Sequence, residues 1–197
     1  MSRRTAAWLA WSLWAFALSL VVLHILMLPA NGYSLWSEEG TGVVAFLAFV
    51  TIGALIISRH PAHRIGWLAS AIGFLFILGT FARNYTIYAL VTRPGWLVGG
   101  DLMVWLGTGW STIVGWGLMV TFLLLLFPTG RLPSRRWRPL AWLVGFSLVL
   151  SAATAALIPG PLDERYPFIT NPFGIESAAE SLELAFGVIF PLLLLLV

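Results

Sequence analysis

The stretch LLLLFPTGRLPSRRWRPLAW, residues 123–142, decides the fold of this chain. An uncharged apolar run stops at Phe127 and Pro128, four arginines follow, and a second apolar run begins. Pro128 disfavours helical geometry at the residue before it, and the next two residues, Thr129 and Gly130, favour a turn. Arginine and tryptophan are both common at the headgroup level of a bilayer. The pattern predicts that one membrane helix ends here and the next begins.

The whole chain has the composition of an integral membrane protein. Of its 197 residues, 59% are hydrophobic and 10% are charged, whereas soluble domains are roughly 45 to 50% apolar and about 25% charged. The absence of cysteine excludes disulfides, thiolate nucleophiles and cysteine metal sites. All eleven basic residues are arginines in short loops. We interpret this excess of positive charge as a signal that orients the chain in the membrane, and we expect no nucleic-acid partner.

Six apolar runs are long enough, or nearly long enough, to cross a bilayer. A helix needs about 20 apolar residues to span a hydrocarbon core of about 30 Å, and turn-forming residues separate the runs. The runs are continuous and lack the alternation of β-barrel strands. The sequence therefore predicts an all-α, polytopic transmembrane helix bundle that forms a single domain over residues 1–197. The predicted spans lie near residues 6–28, 43–58, 66–82, 102–127, 140–157 and 184–197.

The distribution of charge predicts the orientation of this bundle. Short cytoplasmic loops carry the excess of arginine, and a cytoplasmic N-terminus places eight arginines inside and three outside. The inside set is Arg3, Arg4, Arg59, Arg64, Arg131, Arg135, Arg136 and Arg138. The outside set is Arg83, Arg93 and Arg165. All eight acids fall outside in the same arrangement: Glu38, Glu39, Asp101, Asp163, Glu164, Glu176, Glu180 and Glu183.

The sixth span is short. Only fourteen residues follow Glu183, and at 1.5 Å per residue they extend about 21 Å, less than a full crossing. Unsatisfied helix carbonyls in hydrocarbon cost several kcal/mol each. We therefore expect the last helix to be truncated in this sequence, and these residues to be the N-terminal part of a longer protein that continues into the cytoplasm.

Three short motifs carry a family resemblance. Residues 127–139, FPTGRLPSRRWRP, are similar to an F-P-[DT]-G-R-L-P-S-R-R-W-R-P run in the N-terminal membrane regions of actinobacterial-type sensor histidine kinases. Residues 59–67, RHPAHRIGW, resemble that family's loop ending in I-G-W before the third helix. Residues 171–175, NPFGI, resemble its N-P-[LF]-G before the sixth. Many relatives have Asn and Pro at the positions of His63 and Arg64.

The resemblance implies the sensory input region of a two-component system in the bacterial cytoplasmic membrane. Dimerisation, phosphoacceptor-histidine and ATP-binding modules would follow residue 197, and a cytoplasmic response regulator would act through those modules. Because the family works as dimers, a homodimer is also implied. The chain itself has three histidines, His24, His60 and His63, and no glycine-rich nucleotide loop. We expect no catalytic residue, cofactor or metal in this segment, and enzyme activity only in its parent protein.

Two groups of residues are candidates for a role in the membrane. Small residues spaced by four allow helices to approach closely, within the chain or with a second copy. On the third helix Gly66 is paired with Ser70 and Ala69 with Gly73, and on the fourth the series is Gly107, Ser111 and Gly115. Six loop arginines either bind anionic lipid, at about 1 kcal/mol each, or only fix topology. These are Arg59, Arg64, Arg131, Arg135, Arg136 and Arg138. His60 and His63 alone would make an incomplete metal site.

A transporter or channel is the alternative function. Such proteins usually have ionisable residues at membrane depth or a repeated pair of broken helices. Here the nearest ionisable candidate is Asp101, at a helix end, and the sequence has no visible repeat. An intramembrane enzyme would need a nucleophile beside a base, which Ser111, Ser147 and Ser151 lack in the sequence. The longest external segments, roughly residues 83–101 and 159–183, are too short to form a separate domain of about 50 residues. We therefore expect the stimulus to be a membrane property, a lipophilic compound or a partner membrane protein.

Overall fold

The computed structural model of the protein describes residues 2–161 and 166–195. Within these residues the regular structure is helical, and β pairing is limited to an isolated bridge between Pro161 and Thr170. The prediction of an all-α fold is confirmed for this part of the chain. Its α-helices are α1 (Arg3–Met27), α2 (Glu38–Arg59), α3 (Arg64–Ile87), α4 (Gly100–Gly107), α5 (Trp110–Gly117), α6 (Leu124–Leu126), α7 (Arg138–Leu157) and α8 (Ala179–Leu195).

Five helical segments are long and apolar enough to cross a membrane. They are Arg3–Met27, Glu38–Arg59, Arg64–Thr92, Gly100–Leu126 and Arg135–Leu157. The sixth predicted span corresponds to α8, which begins at Ala179, before its predicted start at residue 184. The expected truncation of that span concerns residues 196 and 197, which lie outside the described residues.

The third span is longer than the sequence patterns predict. We expected it to end near Ala82, but α3 continues to Ile87 and then through a π-helical turn, Tyr88–Thr92. No glycine or proline occurs between Gly79 and Pro94, so no helix breaker stops the chain earlier.

The fourth span is interrupted, whereas the sequence predicts one helix over residues 102–127. Helix α4 ends at Gly107, Thr108 and Gly109 are not helical, and α5 begins at Trp110. Gly109 has a φ of +95°, a left-handed conformation that favours glycine. A π-helical segment, Leu118–Leu123, then connects α5 to α6. Gly107 therefore lies on a different helical segment from Ser111 and Gly115.

Helix α3 is the centre of the bundle. In its most apolar stretch 56% of residues are buried, against 22% to 33% in the other four spans. It packs against α1, α2, α4 and α5, while α7 packs against α5 and α8. The main core cluster joins side chains of α1, α2 and α3, among them Leu20, Val50 and Ile77. Large apolar side chains such as Trp8, Trp142 and Val149 remain exposed on the outside, as expected for a surface that faces lipid.

Small residues set the distance between α2 and α3. A Cβ atom at Gly73 would lie 2.6 Å from the carbonyl oxygen of Phe46 and 2.7 Å from Cγ2 of Val50. Gly53 of α2 likewise lies directly against the Ser70 hydroxyl of α3, and a Cβ at Gly66 would lie 2.9 Å from Ile56. The small residues that the sequence singles out on α3 thus lie where its backbone approaches α2 within the same chain.

The substitution Gly73→Ala should force α2 and α3 apart, because backbone atoms of α2 cannot move away independently. We expect a loss of about 1–3 kcal/mol of stability, the usual cost of overpacking. Thermal unfolding in neutral detergent, followed by circular dichroism, measures the effect. Gly42→Ala on α2 is the matched control, since a Cβ there meets nothing within 4 Å; equal melting temperatures for the two variants would contradict the packing.

Candidate functional site

The two ends of the bundle carry different charges. At one end, called the arginine end below, the start of α1 meets the end of α2, where Arg3 Nε donates a hydrogen bond to the Ser58 carbonyl at 3.3 Å. The loop before α7 reaches the same place, since a Cβ at Gly130 would lie 3.4 Å from the Arg64 nitrogen. All eight arginines assigned to one side by the sequence lie on these segments. The described acids lie at the starts of α2, α4 and α8; Asp163, Glu164 and Arg165 fall outside the described residues.

The α2–α3 loop at the arginine end is a short ordered turn. Helix α2 ends because His60 leaves helical geometry ahead of Pro61, while the His60 amide still bonds to the Ile56 carbonyl at 2.7 Å. The His63 amide donates to the His60 carbonyl at 2.9 Å. The Trp67 indole donates to the Pro61 carbonyl at 3.0 Å, so the tryptophan of the I-G-W motif holds the loop against the first turn of α3.

The loop before α7 is also built by its motif residues. Gly130 has a φ of +71° and donates its amide to the Leu126 carbonyl at 2.7 Å. The Arg131 amide donates to the Thr129 hydroxyl at 3.3 Å. A 3-10 turn, Arg135–Trp137, then leads into α7. The left-handed φ at position 130 favours glycine, and this turn places the loop against His63 and Arg64.

Two adjoining clefts form between these loops. The first has a volume of about 510 Å³ and is lined by Arg59, His60, Pro61, Ala62, His63, Arg64, Thr129, Gly130 and Arg131. The second has a volume of about 400 Å³ and is lined by Arg64, Arg131, Leu132, Ser134, Arg135 and Arg138. Arg64 and Arg131 line both clefts. Of the six loop arginines singled out from the sequence, only Arg136 lines neither.

The clefts are basic, and no carboxylate lines them. Their arginines form no ion pair or hydrogen bond through the guanidinium group to any other described residue. His60 and His63 both line the first cleft. In the described part of the chain, no group of three or more His, Asp or Glu side chains could hold a metal ion. The chemistry available in the clefts is therefore hydrogen bonding and charge attraction toward an anion.

The opposite end of the bundle contains a buried polar network. His24 of α1 is fully buried, and its Nε2 donates to the Glu39 carbonyl at 3.1 Å. The Asn84 amide donates to the His24 carbonyl at 3.0 Å and accepts from the Asn31 amide at 2.6 Å. The Thr92 hydroxyl donates to the Asn31 side-chain oxygen at 2.6 Å. These bonds join α1, α2, the loop between them and the last turns of the third span.

This network is not predicted from the sequence. Asn31 lies between the first two predicted spans, and Asn84 and Thr92 follow the third, which is predicted to end at residue 82. The usable signal is the uncharged, breaker-free run at residues 84–92, which favours continued helix. A buried asparagine in such a run needs partners, and the structure supplies them from the α1–α2 loop.

The interruption in the fourth span lies beside the N-P-F-G motif. Trp105, just before the break, donates its indole N–H to the Ala156 carbonyl at 3.2 Å. Its ring is 5.1 Å from Trp110 and 5.7 Å from Phe173. Asn171 donates its amide to the Ala156 carbonyl at 3.0 Å. The motif thus closes the end of α7 and covers the break.

The small residues of α5 face α3. A Cβ at Gly79 of α3 would lie 2.6 Å from the Ser111 hydroxyl, and a Cβ at Gly115 would lie 2.9 Å from the Phe76 ring. Ser111 is fully buried, and its hydroxyl has no hydrogen-bond partner among the described residues. Gly107 ends α4 and does not continue this contact face as a regular helix.

Comparison of the chain with protein-family models, with curated proteins and with solved structures finds no match. Function is therefore inferred from the placement of the motifs, the charges and the polar groups in the bundle.

The substitution Asn84→Leu should destabilise the bundle by about 1–3 kcal/mol, because the two hydrogen bonds of the Asn84 side chain, to the His24 carbonyl and from the Asn31 amide, are lost. Thermal unfolding in neutral detergent measures the loss. Thr86→Val is the matched control: Thr86 is equally buried on α3, but its hydroxyl bonds only to the Ala82 carbonyl of the same helix. If N84L and T86V melted at the same temperature, the network would not hold these segments together.

Proposed function

We propose that this chain is the membrane-embedded input region of a two-component sensor histidine kinase. The observation that carries the proposal is the contact between two motifs that are distant in the sequence. Residues 59–67 and 127–139 each resemble a motif of that family, and they lie against each other at Gly130, His63 and Arg64. Because the two motifs form one contact in the folded chain, we infer that they act together.

In this proposal the bundle spans the bacterial cytoplasmic membrane with the arginine end inside the cell. Five long apolar helical segments, the fourth of them interrupted, support the membrane location, because each is long enough to cross a hydrocarbon core. The concentration of arginine at one end supports the orientation, since short cytoplasmic loops carry the excess of positive charge. The lipid bilayer is then the main partner of the exposed apolar faces.

Signal transmission in this proposal occurs through the last two long helices. Helix α8 packs on α7, where Phe190 contacts a small cluster formed by Val144 and Leu148. Helices α1, α2 and α3 share a larger core and the buried polar network, so they form the more rigid half. A stimulus in the membrane would move α7 and α8 relative to that half. The movement of α8 would then be transmitted to the cytoplasmic modules that follow it. Those modules would dimerise, become phosphorylated and contact the response regulator.

The orientation can be tested with single cysteines, because the natural chain has none. Ser134→Cys lies at the arginine end, and Ser34→Cys lies in the α1–α2 loop at the opposite end; both positions are exposed. We expect a membrane-impermeant maleimide to label S34C in intact cells and S134C only after permeabilisation. Labelling of S134C in intact cells would show the opposite orientation, which would place the end of α8 outside the cell, where kinase modules could not act.

The kinase assignment predicts phosphorylation by the full-length gene product. Membranes containing it should transfer the γ-phosphate of ATP to a histidine encoded after residue 197, while the segment 1–197 alone should take no label. Acid lability and alkali stability of the phosphate would identify phosphohistidine. A reading frame without phosphoacceptor and ATP-binding modules after residue 197 would contradict the assignment.

A second candidate, a small transporter or channel, is favoured by one observation. The fourth span is interrupted at Thr108 and Gly109, and the nearby Trp110 indole N–H and Ser111 hydroxyl are buried without partners among the described residues. Interrupted helices line substrate sites in transporters. If the reading frame encoded no kinase modules, flux of solutes through reconstituted protein would be the measurement that tests this alternative.

A further inference from the structure

We propose that the two adjoining clefts at the arginine end form one binding site for a phosphate-bearing anion. We call them together the phosphate cleft. The anion is either the headgroup of an anionic phospholipid or a soluble phosphate compound. The proposal uses the membrane placement proposed above only for the lipid source, and it does not depend on the kinase assignment.

Uncompensated positive charge is the first support. Five arginines line the phosphate cleft, no carboxylate does, and none of these guanidinium groups has a hydrogen-bond or ion-pair partner among the described residues. Like charges gathered in one cleft attract a counter-ion. A guanidinium group donates two parallel hydrogen bonds to a phosphate. The five are Arg59, Arg64, Arg131, Arg135 and Arg138.

The shared wall of the two clefts is the second support. Arg64 begins α3 and Arg131 follows the turn before α7, yet both line each cleft. The close approach of Gly130 to the Arg64 backbone brings them together, and its φ of +71° suits glycine. A role in membrane orientation requires only that arginines lie in the loops. It does not require that two loops far apart in the sequence line the same cleft, so the shared wall favours a binding role.

The first turn of α3 adds donors to the same wall. Its N-cap residue, His63, makes no side-chain capping bond, and His63 and Arg64 both line the first cleft. Helix N-termini carry partial positive charge and free amide groups that favour anions. The α3 terminus therefore supplements the arginine side chains.

The size and the surroundings of the phosphate cleft fit a lipid headgroup. The first cleft, at about 510 Å³, lies within the range of roughly 300–1,000 Å³ of small-molecule sites. A further, apolar groove of about 270 Å³ adjoins the second cleft through Leu132 and Arg138 and continues along Phe122, Trp142 and Gly145. An acyl chain in this groove would place its headgroup phosphate beside Arg138. This continuity favours the lipid source.

Matched pairs of arginine variants separate a site from general surface charge. Arg64→Gln with Arg131→Gln removes the shared wall. Arg4→Gln with Arg136→Gln removes the same charge at the same end, but these residues line neither cleft. Each purified protein, in neutral detergent at about 0.15 M salt, is titrated with phosphatidylglycerol, phosphatidylcholine and inorganic pyrophosphate, and binding is measured by native mass spectrometry and tryptophan fluorescence.

We expect the cleft pair to weaken binding of at least one anionic probe by about tenfold or more, the loss expected for charged hydrogen-bond donors. The control pair should weaken it by less than about threefold, because exposed charges away from the ligand are screened. Phosphatidylcholine should bind weakly to every variant. Matching circular dichroism spectra and melting temperatures show that all variants are folded.

A groove variant distinguishes the two sources of phosphate. Gly145→Leu fills the apolar groove, and a Cβ there makes only an ordinary 3.5 Å contact with Phe122. Loss of phosphatidylglycerol but not pyrophosphate binding in G145L identifies a lipid; pyrophosphate binding that depends on the cleft pair, without a preference for phosphatidylglycerol, identifies a soluble phosphate. The proposal is overturned if neither anionic probe binds, or if the cleft and control pairs weaken binding equally.

Discussion

The backbone of an apolar span must satisfy its own hydrogen bonds, and the rest of this structure depends on that constraint. Hydrocarbon offers no partner for an amide or a carbonyl, so long apolar runs adopt helices. Where the helices are interrupted or end, side chains supply the missing hydrogen bonds. The break at Thr108 and Gly109 has the Thr108 hydroxyl bonded to the Trp105 carbonyl at 2.7 Å, and Asn171 bonds to the Ala156 and Ile158 carbonyls where α7 ends.

Close packing around α3 turns these helices into one unit. Lipid supplies no hydrophobic drive between apolar helices, so small residues and buried polar groups provide the specificity. At the α2 contact the small residues are Gly53, Gly66 and Gly73. At the opposite end Asn84 and Asn31 join the third span to the loop that follows α1. The half formed by α1, α2 and α3 is held in both ways, whereas among the described residues α7 and α8 share a smaller apolar cluster. That asymmetry is the basis for the proposed movement of α8.

The arginine end combines two requirements in one place. Positive residues in short loops orient a membrane protein, and in the proposed orientation Arg4 and Arg136, which line neither cleft, have only that role. The remaining loop arginines are positioned more narrowly, because Gly130 brings the loop before α7 against the start of α3. The proposed orientation requires only that arginines lie at this end, whereas the proposed phosphate cleft rests on the wall shared by Arg64 and Arg131.

Composition and the placement of charge by themselves determined the all-α class and the separation of arginine from acid along the chain, because these follow from local solvation of each segment. Five of the six apolar spans predicted from the sequence correspond to helical segments long and apolar enough to cross a membrane. Tertiary structure decided what depends on contacts between distant segments. The third span is predicted to end near residue 82, yet the chain stays helical to Thr92 because no glycine or proline interrupts it and Asn84 has buried hydrogen-bond partners. Gly109 lies inside the predicted fourth span, residues 102–127, yet its left-handed backbone divides that span. Arg64 and Arg131 become neighbours only when two loops fold together, a proximity that no local pattern encodes.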